Sequence, residues 1–176
     1  MEIKASVIKM TESEAWEKGK SKCNIIGRLL VRDEMSKLEI AYFPFLLVEF
    51  RQEHSRHIWR RRKDTGGNNI SVITIICDGT TNNAAFADTL PDFIKTEVGE
   101  EQIKKRLFTE QDMISESQKL AFRMTHKFIG KNEIILQNTY EIYRPYYIAW
   151  YGNITEENKA RYLPMAADGF GINNVM

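Results

Sequence analysis

Tyr42-Phe43-Pro44-Phe45 is answered further along the chain by Tyr143-Arg144-Pro145-Tyr146, and in both stretches a proline interrupts a run of aromatic residues. Each stretch is flanked by two more landmarks in the same order. Upstream stand Met10-Thr11-Glu12-Ser13-Glu14 and Phe108-Thr109-Glu110-Gln111-Asp112. Downstream stand Asp78-Gly79 and Asp168-Gly169, each followed by paired asparagines, Asn82-Asn83 and Asn173-Asn174. An order kept through three landmarks predicts an internal duplication, and such a repeat dictates the architecture. The interval from the first landmark to the second is nearly constant, whereas the interval to the third is longer in the first half, so the excess falls in one loop.

Each landmark has a physical meaning. A threonine followed three residues later by an acid is a capping-box signature, in which the hydroxyl accepts from a free N–H of the first turn and the acid answers back. Helices are therefore predicted to start after Thr11 and Thr109. Met10 and Phe108, just before the caps, suit the apolar staple that sets the angle of entry. In the first helix Trp16, Gly19, Cys23, Ile26 and Leu30 draw one apolar stripe at spacings of three and four, and small Gly19, Cys23 and Gly27 would let it lie close on a sheet. Met113, Leu120, Met124 and Phe128 make the stripe of the second, with Gly130 as its stop.

After each helix the sequence predicts a long strand, Leu38 to Phe50 and Tyr140 to Tyr151, rich in aromatic and branched residues. Period two then sorts the faces. Tyr42, Leu46, Val48 and Phe50 match Tyr143, Tyr147, Ala149 and Tyr151 on a face that should meet the helix. Phe43, Phe45, Leu47 and Glu49 match Arg144, Tyr146, Ile148 and Trp150 on the opposite face, which is too apolar to be fully solvated. Pro44 and Pro145 offer no N–H to a ladder and predict an edge, a bulge or a bend. Ile70 to Cys77 leads to Asp78-Gly79, a strong hairpin signal, and Thr80 to Phe86 returns. Tyr162 to Ala167, Asp168-Gly169 and Phe170 to Val175 repeat that pattern.

The expected fold is thus α+β, a tandem repeat of a helix followed by an antiparallel three-stranded meander (α-β-β-β twice), with the helices packed on a curved antiparallel sheet. Residues 1–90 and 108–176 form the two repeats, or merge into one domain. Residues 91–107 link them, with a short helix over Glu100 to Leu107.

Composition narrows the function. Of 176 residues 43% are hydrophobic and 28% charged, and 25 Lys and Arg balance 24 Asp and Glu to a formal +1. The whole molecule therefore carries no field that would draw it to nucleic acid or anionic lipid. The N-terminus lacks the basic-then-apolar order of a signal peptide, and the apolar run Ile40 to Val48 falls well short of the roughly 20 residues of a spanning helix. No membrane insertion and a cytoplasmic location are expected. Cys23 and Cys77 have no CxxC partner and read as reduced, buried thiols, with a disulfide between them as the alternative.

Local basic charge is concentrated from Arg51 to Lys63, where six Arg or Lys face a single Glu. Arg51, Arg56, Arg60, Arg61, Arg62 and Lys63 could grip phosphates, and Trp59 could stack on a base, so polyanion binding competes there with contact to an acidic protein partner and with plain solvation. His54 and His57 form HxxH, which would need a carboxylate or His126 to complete a metal site, and no metal or other cofactor is expected. Phosphate-loop, dinucleotide and nucleophile-elbow motifs are missing from the sequence. Asp78 and Asp168 are explained by their turns. Six of the seven tyrosines fall between Tyr140 and Tyr162, together with Trp150. The expectation is a non-enzymatic protein-binding or assembly module that uses Phe43, Phe45, Arg144, Tyr146, Ile148 and Trp150 to engage a protein partner or its own copy. The alternatives are a nucleic-acid-associated accessory protein acting through residues 51–63, and an enzyme of unrecognised type.

Overall fold

In the computed structural model, residues 1–27, 35–55, 69–125, 131–152 and 161–170 are described. Along the chain run β1 (Glu2–Ser6), α1 (Glu12–Gly27), β2 (Met35–Ser55), β3 (Asn69–Asp78), β4 (Ala84–Phe86), β5 (Phe93–Glu97), a 3-10 turn (Glu100–Gln102), α2 (Glu110–Thr125), β6 (Lys131–Tyr151) and β7 (Arg161–Ala166). The strands form one seven-stranded sheet of order β4-β3-β2-β6-β1-β5, with β7 also paired to β6.

This corrects the expected α-β-β-β repeat. Strand far outweighs helix, and the sheet is mixed, because β1 lies parallel to β6 through Ala5 and Tyr143 and antiparallel to β5. Residues 2–6, placed above in the first repeat with no strand of their own, and 93–97, read as part of the linker, are strands. Their short alternation buries only Ile3 and Ala5 with Tyr42 and Val98, too little for a pattern to reveal. After β7 the chain turns at Asp168, and the third strand expected over Phe170 to Val175 lies, from residue 171 on, outside the described residues. The helix expected over Glu100 to Leu107 shrinks to the three-residue 3-10 turn.

Both helices begin as the capping boxes require. Thr11 and Glu14 bond reciprocally, with the Thr11 N–H donating to Glu14 Oε2 at 2.8 Å and the Glu14 N–H donating to Thr11 Oγ1 at 3.3 Å. Thr109 and Asp112 repeat the exchange at 3.1 and 3.2 Å. The Glu14 and Asp112 carboxyls are held below their ordinary values by these hydrogen bonds to the threonines, the backbone one leading for Glu14 and the side-chain one for Asp112.

The chain divides into two compact units, one of Met1–Pro44, Leu90–Lys105 and Ile142–Gly171, the other comprising Phe45–Thr89 and Arg106–Glu141. Each unit therefore draws on both halves of the chain. In the first, Ala15 of α1 packs with Tyr147, Ala149, Met165 and Ala167 of β6, β7 and the turn beyond. In the second, Met113 and Ala121 of α2 pack with Leu46, Val48 and Phe50 of β2 and with Ile75 and Cys77 of β3. The face sorted by period two does meet a helix, but in each case it meets the helix from the other half of the sequence. Each large aliphatic buried there is worth about 1.5–3 kcal/mol. Gly19 lets α1 come close: a Cβ there would sit 3.4 Å from Ala149 Cβ and 2.8 Å from the Met35 sulfur.

The prolines are explained by a change of partner. Tyr42 makes a parallel bridge to Ile103, Pro44 follows, and the antiparallel ladder with β3 begins at Phe45 opposite Asp78. On β6, Tyr143 bridges Ala5, Pro145 follows, and the ladder with β7 begins at Tyr146 opposite Ala166. A residue without an N–H fits the gap where one neighbour ends and the next starts. Neither strand lies at the sheet's edge, so of the edge, bulge or bend expected at the prolines the edge is excluded.

Candidate functional site

The face of β6 and β7 turned away from α1 gathers most of the residues singled out in the first unit. Its centre is an ion pair. Arg144 Nε donates to Asp168 Oδ2 at 2.7 Å and Arg144 Nη2 to Oδ1 at 2.9 Å, with the two residues 1% and 0% exposed. Ser6 Oγ donates to Oδ2 at 2.9 Å, and the Phe170 N–H donates to Oδ1 at 3.0 Å. The guanidinium also donates to the Phe170 carbonyl at 2.6 Å and lies against the rings of Phe170 and Tyr146, 4.9 and 5.5 Å from their centroids.

Local sequence positions the acid. Gly169 takes a positive φ of 67°, which lets the Asp168 side chain fold back onto the N–H two residues on. Asp78 does the same in the second unit, where Thr80 donates its N–H and its hydroxyl to Oδ1, both at 2.7 Å. The difference lies in the strand. Phe43 stands in β2 where Arg144 stands in β6, so the sequence gives Arg144 alone a charge to place.

Burial pushes the Asp168 carboxyl up, and this is the largest single effect. The Arg144 hydrogen bonds and charge, the Phe170 N–H and the Ser6 hydroxyl together outweigh it, so the carboxyl ends below its ordinary value. Four donors occupy the roughly four lone-pair sites of a carboxylate, which leaves no capacity to accept a substrate proton. The arrangement acts as a clamp that ties β1, β6 and the turn after β7 together.

Around the clamp lie aromatic pairs. Phe43 and Tyr146 meet edge to face at 5.0 Å, and Trp150 and Tyr162 pack at 5.4 Å. Tyr162, the register partner of Trp150, is 61% exposed. Lys37 and Glu39 sit on β2 nearby, joined at 2.6 Å. The Glu39 carboxyl is held below its ordinary value first by the Lys37 hydrogen bond; burial, the next largest effect, opposes this, and the Trp150 indole and the charges of Lys37 and Lys104 add to the lowering. The indole Nε1 is buried and reaches no acceptor at hydrogen-bond geometry among the described residues, so Glu39 feels its dipole without a proper bond.

Three residues of the expected partner surface are corrected. Arg144 is enclosed in the clamp, and Phe45 and Ile148 are buried. Leu47 and Ile76 are buried beside Phe45 in the second unit, and Ile142 is buried in the first. The face opposite the helices thus holds core of its own, and period two reveals a face without saying what covers it. Phe43, Tyr146 and Trp150 keep partial exposure. Sequence reasoning missed Ser6, Asp168, Tyr162 and Phe170 as members of the site. The available signal was an arginine set into an aromatic strand, which needs a carboxylate if that strand is covered.

Of the basic stretch, Arg51 pairs with Glu53 at 2.7 Å. Arg56, Trp59, Arg60, Arg61, Arg62 and Lys63 lie outside the described residues, as do the side chains of His54, His57, His126 and Cys23. Among the described residues no three His, Cys, Asp or Glu side chains gather as metal ligands. Cys77 is a free thiol whose Sγ donates to Asn82 Oδ1 at 3.6 Å, and burial, partly opposed by the polar influence of Ser117, pushes it up to about 12. No helix among the described residues is long and apolar enough to cross a membrane.

Comparison of the chain with family models, with curated proteins and with solved structures finds no match in any of the three.

Proposed function

We propose that the protein is a non-enzymatic binding or assembly module that docks a protein partner on the face of β6 and β7 turned away from α1. The observation that carries this reading is the Trp150–Tyr162 pair, an aromatic step whose outer member is 61% exposed. Tyr and Trp bring large contact area at low rotamer cost, and they dominate the energetics of interfaces. Phe43 and Tyr146 continue the row, and the Lys37–Glu39 pair supplies a polar rim.

Contact through the neighbouring strand edge is disfavoured. The Ala167 N–H donates to the Pro145 carbonyl, so by alternation the backbone groups of Pro164 point away from β6. A proline there removes a donor that a further strand would need. The partner is therefore held by side chains. In a cytoplasmic setting, the reading accords with the buried, free thiol of Cys77.

The test is a photo-crosslinking residue at position 162, introduced into the full chain in its own cells. A specific adduct with another protein is expected, weakened by Trp150→Ala through a loss of about 2 kcal/mol or more of binding energy. Adducts that Trp150→Ala leaves unchanged, or adducts with the chain itself alone, would overturn the heterologous reading.

A further inference from the structure

Strand β3 is ten residues long, and β2 covers it from Asn69 to Asp78. On its other side β4 covers only Ile75 to Cys77. The Ala87 N–H extends that ladder by one step, donating to the Thr74 carbonyl at 3.0 Å, and the Asp78 N–H donates to the Asn83 carbonyl at 2.9 Å. Because an antiparallel ladder alternates, the N–H and C=O of Val72 point the same way as those of Thr74. No strand meets them among the described residues, and the Val72 side chain is 57% exposed.

Beside this edge a groove of about 440 Å³ is lined by Gln52, Val72, Ile73, Thr74, Phe86, Ala87, Asp88 and Met124. It lies at the C-terminal end of α2, and its single charged group is the Asp88 carboxylate. Two other edges are defended. Pro164 blunts β7, and β5 carries Lys95 and Glu97. Charge and proline are the usual protection of an edge, and β3 has neither from Ser71 to Thr74.

We propose that the β3 edge from Ser71 to Thr74 binds an extended peptide of a partner protein as an added strand. Backbone hydrogen bonds to Val72 hold its register. Alternate apolar side chains enter the groove between Ile73, Phe86 and Met124, and a Lys or Arg of the peptide meets Asp88. This site belongs to the second unit and is independent of the aromatic face on the first.

The test uses the full chain and blocked, fluorescent octapeptides in which Val, Leu or Phe alternates with Thr and one end carries Lys, read by fluorescence anisotropy. Saturable binding is expected. Methylating the peptide backbone nitrogens that face Val72 should weaken it roughly tenfold or more, since backbone donors are lost without changing a side chain. Replacing Lys by Glu should weaken it several-fold, and so should Asp88→Asn. Val72→Pro should abolish binding while Val72→Thr retains it, with circular dichroism confirming that both variants fold. Absence of saturable binding across the panel, or equal binding of the methylated peptide, overturns the proposal. So does a dimer that Val72→Pro dissociates, because a second copy would then be the occupant.

Discussion

Arg144 and Asp168 form a two-point ion pair, at 2.7 and 2.9 Å, in a place where neither side chain reaches water. Removing either partner leaves a buried charge without compensation, which costs about 3–5 kcal/mol. Asp168→Ala and Arg144→Ala should each destabilise the protein by that amount in urea unfolding. The double variant should lose less than the two losses combined, with an interaction energy of about 1–3 kcal/mol. Additive losses would mean that the two side chains act separately.

The same pair predicts a response to acid. The folded carboxyl of Asp168 lies below its unfolded value of about 3.9, so its contribution is complete above that range and is lost as pH falls through the folded value. Stability measured from pH 6 downward should therefore fall below about pH 4. Asp168→Asn, though less stable at neutral pH, should show a shallower acid slope. The remaining slope in that variant reports Glu14, Glu39 and Asp112, whose values are lowered in the same direction.

Thr11→Ala and Thr109→Ala each remove a hydroxyl that accepts from the helix's first turn. A loss of about 1 kcal/mol each is expected in thermal or chemical unfolding. Thr→Ser at either position should restore most of it. Serine retaining no advantage over alanine would show that the hydroxyl is not the active group.

Phe50 follows α1 in the sequence but packs in the cluster built by Met113 and Ala121 of α2. Phe50→Ala should cost about 3–5 kcal/mol. Native-state hydrogen exchange should quicken first across Glu110–Thr125, with Glu12–Gly27 less affected. The reverse order would contradict the exchange of helices between halves.

Much of the local structure is legible in the residues. The two helix starts follow from a threonine and an acid three residues apart, because both partners of a cap lie within one turn. The reversal at Asp78 and the left-handed Gly169 follow from turn chemistry, which is equally local. The long strands around Pro44 and Pro145 announce themselves by period two and aromatic content. Their true ends at Ser55 and Lys131 are not legible, since polar residues continue a strand only when a neighbour offers a ladder.

What the sequence alone determined was the set of elements whose determinants lie within a few residues: α1, α2, the bodies of β2, β3, β6 and β7, and the face of each that must be covered. Which helix covers which face was decided by tertiary structure, because the apolar stripes of α1 and α2 are chemically similar and either could satisfy either sheet. The burial of Phe45, Ile148 and Arg144 was decided there too. An arginine reads as solvent-facing until a carboxylate distant in the chain is brought within 2.7 Å of it, and no local pattern encodes that meeting. The same holds for the edge of β3 that no described strand covers beyond β4, which stops after three residues, a fact of pairing and not of composition.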